Sequence, residues 1–146
     1  MSIMVKQLEP WIQDWAPEEL VGGMPGRRPD QLHERLMADL AEAKIEGGDL
    51  VAIKLDLLKC FDNVLAMQAI GVLGRLGCPG ELCSLLETYY KSYTRWIESR
   101  GVCAPQCIEP LISILQGCPA SCLLLAALTT VWHKAVAEPI RGLRSG

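Results

Sequence analysis

The sequence predicts an α+β fold in which a small antiparallel sheet is flanked by several helices. Residues 50–56 form a β-branched and aliphatic run that is typical of a strand. Two later stretches, residues 94–99 and 108–114, alternate in polarity, and the Gly-containing segment 101–106 between them predicts the turn of a hairpin. We therefore expect the strand at 50–56 to pair with this hairpin region.

Apolar residues at helical spacing predict helices over residues 30–46, 62–76, 79–90 and 119–137. Asp30 is the expected N-cap of the first of these helices, and Gly47 and Gly48 are expected to end it. Its apolar stripe recurs at i, i+4, i+8 and i+11, at Leu32, Leu36, Leu40 and Ala43. The helix at 119–137 is apolar on most sides and should be buried. Upstream, Trp11 and Trp15 share a helix face and are expected to pack in the core.

Composition restricts the function classes. Half of the 146 residues are apolar and 21% are charged, which predicts one folded domain with a real core. The formal net charge of −3 argues against tight independent binding of nucleic acid, for which a basic face is expected, but allows a local basic groove. The residues available for such a groove are Arg27, Arg28, Lys91, Arg95 and Arg100.

The chain contains seven cysteines, and this odd number without a signal peptide predicts reduced thiols in an intracellular protein. Two pairs with three intervening residues would allow a zinc site; they are Cys103 with Cys107 and Cys118 with Cys122. The alternative is that these cysteines are small buried hydrophobic residues. The longest apolar run, residues 122–128, is far shorter than the roughly 20 residues of a membrane span, so we expect no membrane partner.

An acidic residue follows the predicted strand at 50–56. Alternation along the strand places Asp56 on the face opposite the aliphatic row. A carboxylate held at a strand end is a rigid ligand for a hard cation such as Mg²⁺. Phe61, the only phenylalanine, and Asp62 come next. The alternative interpretation is a buried strand followed by a helix with Asp62 as its N-cap.

Three motifs in order resemble the reverse transcriptases of non-LTR retrotransposons and group II introns. They are GGMPGRRPDQ at residues 22–31, LDLLKCFDNV at 55–64 and QGCPAS at 116–121. The resemblance extends over about residues 20–137. It implies an RNA-directed DNA polymerase with a partial right-hand fold. Residues 1–49 would be a fingers-like remainder, 50–138 a palm-like part and 139–146 a tail.

The resemblance also implies roles for individual residues. Asp56 would be the catalytic carboxylate and would bind Mg²⁺ together with the backbone of Leu57. Phe61 would be a steric gate that favours deoxynucleotides. The nucleotide pocket would include Gln116 and Gly117, and the template side would include Arg27 and Arg28. We expect Asp56 and Gln116 to face one cleft, with Phe61 at its edge. An RNA template and a DNA primer would be the partners. The resemblance also allows a nuclear location for the protein.

The sequence departs from the family at several positions. The family has an aromatic residue and an arginine at Gly23 and Met24, and an Arg-Gly pair at Ile112 and Ser113. Its Asp-Asp motif, which supplies two further carboxylates, is also missing, because no aspartate follows Asp62.

Because two-metal nucleotidyl transfer needs several carboxylates, we expect a polymerase fragment that is inactive alone. The alternative is a non-catalytic retroelement remnant that acts as a helical interaction module. Either protein could self-associate through uncovered apolar surface.

Overall fold

The computed structural model describes residues 7–48, 51, 54–109 and 112–137. Its elements are α1 (Glu9–Trp15), α2 (Pro29–Glu46), α3 (Ala66–Arg75), α4 (Gly80–Ser92), β1 (Glu98–Ser99), β2 (Val102–Cys103) and α5 (Pro119–Trp132). A 3₁₀ turn, Cys60–Asn63, precedes α3, and a π-helical turn, His133–Ala137, follows α5. The fold is α+β, as predicted. The chain divides into two compact units, residues 59–128 and residues 1–58 with 129–146.

Helices α3 and α4 pack against each other in the unit of residues 59–128. Ile70 and Leu73 of α3 and Leu86 of α4 are buried. Helix α3 ends in a Schellman motif: the N–H of Gly77 (φ +84°) donates to Gly74 and that of Cys78 donates to Leu73. Pro79 is the N-cap residue of α4. The prediction of a helix at 79–90 is therefore confirmed with a boundary shift of one to two residues.

A hairpin is present in this region, but its second strand lies at residues 102–103, inside the segment predicted as the turn. The strand predicted at 108–114 is wrong for the described residues 108, 109 and 112–114, of which only Ile108 takes part in a bridge. Strands β1 and β2 pair antiparallel through Glu98 with Cys103 and Ser99 with Val102. The loop residues, Arg100 (φ +53°) and Gly101 (φ +79°), both lie in the left-handed region, as a two-residue type I′ turn requires. An isolated antiparallel bridge joins Arg95 to Ile108.

A bulge separates that bridge from the hairpin. The N–H of Ala104 donates to the carbonyl of Ile97 at 2.8 Å, which keeps the register of β1 and β2. Between this bond and the Arg95–Ile108 bridge, Trp96 alone faces the three residues 105–107. Pro105 lies in that segment, and bulges are one of the places in a sheet where proline is found.

The strand predicted at 50–56 is wrong for the residues that the structure describes. Residues 54–56 have irregular backbone, and residues 50, 52 and 53 lie outside the described ranges. The side chain of Leu55 is 69% exposed, and that of Val51 is also exposed. Alternating polarity predicts a strand only when a neighbouring strand pairs with it and one of its faces is buried, and the aliphatic row here is not buried.

Two predicted helix starts are also corrected. Asp62 lies in the 3₁₀ turn, where its N–H donates to the carbonyl of Lys59 at 2.9 Å, and α3 begins four residues later, after Leu65. Lys59 has φ +47°, and this left-handed residue separates the turn from the preceding chain. Asp30 is not the cap of α2, because the N-cap residue is Arg28.

Helix α2 otherwise has the predicted extent and ends at Gly47 with φ +69°. None of its residues is buried. Helix α5 with its π-helical turn covers the range expected for the last helix, and its residues between 121 and 127 include the buried Leu123 and Leu124. In α1 the rings of Trp11 and Trp15 pack edge to face with centroids 5.4 Å apart, and Trp15 is buried as predicted.

Candidate functional site

The QGCPAS motif begins with a tight turn that leads into α5. The N–H of Cys118 donates to the carbonyl of Leu115 at 3.3 Å, and Gly117, the third residue of this turn, has φ +83°. That geometry is a type II turn, in which a glycine is favoured because other side chains are strained at positive φ. Gln116 is exposed at the tip of the turn. The side chain of Gln116 is therefore exposed to solvent, and the turn favours a glycine at position 117 because the backbone there has a positive φ.

Ser121, the last residue of the motif, has a structural role. It is fully buried, and its Oγ lies 3.0 Å from the Oη of Tyr90 on α4. Burial raises the pKa of the Tyr90 phenol, and the hydrogen bond with Ser121 acts in the opposite direction. This bond between two buried polar groups links α5 to α4 and helps to hold the start of α5 in place.

A polar cluster that the sequence did not predict lies beside the turn. Ser113 Oγ accepts a hydrogen bond from Arg95 Nη2 at 2.7 Å and lies 3.0 Å from Tyr93 Oη. The guanidinium carbon of Arg95 is 5.6 Å from the centroid of the Tyr93 ring. The backbone of Ser113 has φ +154°, outside the region that L residues favour.

All three tyrosines of the chain join this cluster. Tyr89 and Tyr93 stack with centroids 5.9 Å apart, and Tyr90 meets both rings edge-on. The cluster packs the end of α4 together and leaves Tyr89 partly exposed.

Phe61 lies next to the segment that leads into the QGCPAS motif. Its side chain is half-buried, and its carbonyl accepts a hydrogen bond from the N–H of Ile114 at 2.8 Å. Ile114 is fully buried and lies two residues before Gln116. The structure therefore brings together the end of the 55–64 motif and the approach to the 116–121 motif. The steric-gate role of the Phe61 ring stays a prediction.

Asp56 lies in irregular chain, and both it and Leu57 are exposed. Asp56 and Gln116 belong to different compact units, so their shared cleft stays a prediction. Across the described ranges there is no group of three or more His, Cys, Asp or Glu side chains that could hold a metal ion. One exposed carboxylate does not provide the ligand set of a two-metal centre, so the donor set does not fit that centre.

The two motif arginines make different contacts. The guanidinium of Arg27 donates hydrogen bonds to the carbonyls of Ala16 at 3.2 Å, Leu20 at 2.9 Å and Pro17. Arg28 forms an exposed, bidentate pair with Asp30, with N–O distances of 3.1 and 2.5 Å. Arg27 therefore holds the chain that follows α1 in place. The template contacts of both residues stay predictions.

An open cleft of about 240 Å³ lies beside Arg27. It is lined by Glu18, Glu19, Val21, Arg27, Gln31, Leu32 and Arg35. Arg35 forms an ion pair with Glu18 at 3.0 Å, and His133 Nε2 lies 3.6 Å from a carboxylate oxygen of Glu19. Acidic and basic groups alternate here, so the cleft offers no single sign of charge to a ligand.

The cysteine pairs differ in their surroundings. Cys103 and Cys107 are exposed, so the interpretation of small buried residues is wrong for them, whereas Cys118 and Cys122 are half-buried. None of the described helices has both the length and the apolar character needed to cross a bilayer. Comparisons with protein-family models, with curated proteins and with solved structures found no match.

Proposed function

We propose that this chain is a portion of a reverse-transcriptase-type RNA-directed DNA polymerase that does not transfer nucleotides by itself. The observation that carries the proposal is the order and spacing of the three motifs at residues 22–31, 55–64 and 116–121. An RNA template, a DNA primer and Mg²⁺ belong to the same proposal, because they follow from that resemblance.

Two backbone features support the proposal. Gly117 adopts a positive φ in the turn of the QGCPAS motif, and Ser113 has φ +154° at the family's glycine position. The hydrogen bond between Ile114 and Phe61 also joins the 55–64 motif to the segment that leads into the 116–121 motif. The incomplete carboxylate set supports the second part, the lack of activity, because a single Asp cannot position two Mg²⁺ ions.

Primer extension tests the absence of activity. The purified 146-residue chain and its Asp56→Ala variant are given an RNA template with an annealed DNA primer, deoxynucleotides and Mg²⁺ or Mn²⁺. We expect both proteins to remain at background, while an active reverse transcriptase extends the same primer. Incorporation by the unaltered chain that disappears in Asp56→Ala would contradict the proposal, since the missing carboxylates would then have to come from elsewhere, such as a second chain.

The coding sequence immediately downstream tests the polymerase relationship itself. We expect an in-frame element of an aromatic residue, any residue and two aspartates within one strand-hairpin length of α5. Its aspartates would supply the carboxylates that the two-metal mechanism requires. A downstream reading frame without such an element would favour the remnant over the polymerase fragment.

The second candidate function is a non-catalytic helical interaction module. The observation that favours it is α2, an 18-residue helix with no buried residue. Its leucines at 32, 36 and 40 are between 41% and 48% exposed. A leucine stripe of this kind is typical of a face that pairs with another helix, and a second copy of the chain is the partner we propose.

A pair of charge-matched variants tests self-association through α2. Leu36→Glu introduces a carboxylate into the leucine stripe and is expected to shift the chain toward monomer, because pairing would have to desolvate that charge. Ala38→Glu adds the same charge on the opposite face of the helix and should leave association unchanged. Light scattering coupled to size exclusion measures the mass of each. Equal masses for Leu36→Glu and the unaltered chain would exclude this surface.

A further inference from the structure

The corner between α3 and α4 holds two cysteines side by side. With Pro79 as the N-cap residue of α4, Cys78 occupies the N′ position and Cys83 the N4 position. Side chains at these two positions pack together as a hydrophobic staple at the start of a helix. Here both members of the staple are thiols, and interaction with Cys83 adds to the burial that raises the pKa of the Cys78 thiol.

The backbone on both sides of this contact is fixed. The N–H of Cys78 donates to Leu73 at 3.0 Å within the Schellman motif, and the N–H of Cys83 donates to Pro79 at 3.1 Å in the first turn of α4. Gly74 lies beside Cys83, since a Cβ at this position would be in van der Waals contact with Cys83 Sγ at 3.9 Å. The two thiols therefore stay close because both helix ends position them.

We propose that Cys78 and Cys83 form a thiol–disulfide exchange site, which reacts with low-molecular-weight disulfides such as glutathione disulfide to give an intramolecular Cys78–Cys83 disulfide. This inference is independent of the proposed function, because none of the three motifs includes either residue. The seven cysteines are free thiols in the structure, so the dithiol is the starting state.

The exchange proceeds in two balanced steps. Cys83 is half-buried and more accessible than Cys78, so its thiolate attacks one sulfur of the small disulfide, forms a mixed disulfide and releases one small thiol. Cys78 then gives its proton to solvent, and its thiolate attacks the Cys83 sulfur and displaces the second small thiol. In total the protein loses two hydrogen atoms and two electrons, and the small disulfide is reduced to two thiols.

The surroundings of Cys78 set the speed of the second step. Burial and the contact with Cys83 raise the pKa of the Cys78 thiol to about 12. Only a small fraction of Cys78 is thiolate near neutral pH. As long as the pH is below that pKa, the fraction grows about tenfold for each unit by which the pH rises. We therefore expect closure of the disulfide to accelerate as pH rises, with the mixed disulfide on Cys83 accumulating first at lower pH.

Peptide mass analysis tests the site directly. Cleavage after Lys and Arg isolates residues 76–91, a peptide that contains Cys78 and Cys83 and no other cysteine. The reduced, folded chain is treated with glutathione disulfide at mildly alkaline pH, quenched with an alkylating reagent and digested. We expect this peptide to lose two hydrogen atoms and to escape alkylation.

Two variants assign the steps. Cys78→Ala should stop at the mixed disulfide, so that residues 76–91 carry one glutathione on Cys83. Cys83→Ala should leave Cys78 unmodified, because that thiol is only 8% exposed. Circular dichroism confirms that each variant is folded, and glutathione on the exposed Cys103 or Cys107 shows that the reagent was active.

Three outcomes would overturn the proposal. The first is a peptide that keeps two free thiols while Cys103 and Cys107 have reacted. The second is a peptide that carries two glutathiones, and the third is a disulfide from this peptide to another part of the chain.

Discussion

Replacing Leu73 with alanine is expected to lower the free energy of unfolding of the unit formed by residues 59–128 by about 2–5 kcal/mol. Leu73 is 0% exposed and belongs to α3, which packs against α4. The truncation removes buried methyl groups and leaves a cavity that the neighbouring helices can fill only in part. Denaturation by urea, followed by circular dichroism, measures the loss.

Leu85→Ala is the matched control for Leu73→Ala. It makes the same chemical change on α4, but Leu85 is 58% exposed, so we expect a change within about 0.5 kcal/mol. Similar losses for the two variants would mean that α3 and α4 do not pack through the face that contains Leu73. A large loss for Leu73 alone would confirm that packing.

Arg27→Ala is expected to lower the free energy of unfolding by about 1.5–3 kcal/mol, the effect of losing hydrogen bonds from a charged group. Its guanidinium donates to three backbone carbonyls, and without it the carbonyl of the buried Ala16 would lose this donor. Arg27→Lys should recover only part of the loss, because an ammonium cannot present the planar fork that spans several acceptors. Thermal unfolding of each variant gives the comparison.

Arg28→Ala is the neighbouring control. Arg28 pairs with Asp30 at the surface, and exposed pairs of this kind contribute about 0.2–1 kcal/mol. Its backbone N–H, which donates to Gln31 Oε1 at 3.0 Å, remains in the alanine variant. Equal free energies of unfolding for Arg27→Ala and Arg28→Ala would contradict the structural role of Arg27. That result would be expected if both arginines served only to contact nucleic acid.

Elements with strong local signals were predicted well. Helix α2 ends at Gly47 as expected, because a glycine accepts the left-handed conformation that ends a helix. The start of α4 after Pro79 and the hairpin around Gly101 also depend on the backbone preferences of one or two residues. Such preferences act within a few residues and are therefore visible in the sequence.

The errors fall where a residue has more than one available role. The alternating pattern at 50–56 fits a strand, but the described residues 54–56 are irregular and Leu55 is exposed. Aspartate is a good helix cap, yet Asp62 lies in a 3₁₀ turn and Asp30 pairs with Arg28. In each case the intrinsic preference of the residue did not decide the outcome.

The sequence by itself determined the α+β class, the extents of α2 and α4, the start of α5, and the positions where Gly47 and Gly101 turn the chain. Only the tertiary structure decided what the motif side chains do. Arg27 reaches carbonyls seven to eleven residues away, and Ser121 meets a tyrosine 31 residues away. The reason is physical: helix ends and turns depend on backbone preferences within a few residues, whereas a hydrogen bond between distant segments depends on how those segments pack.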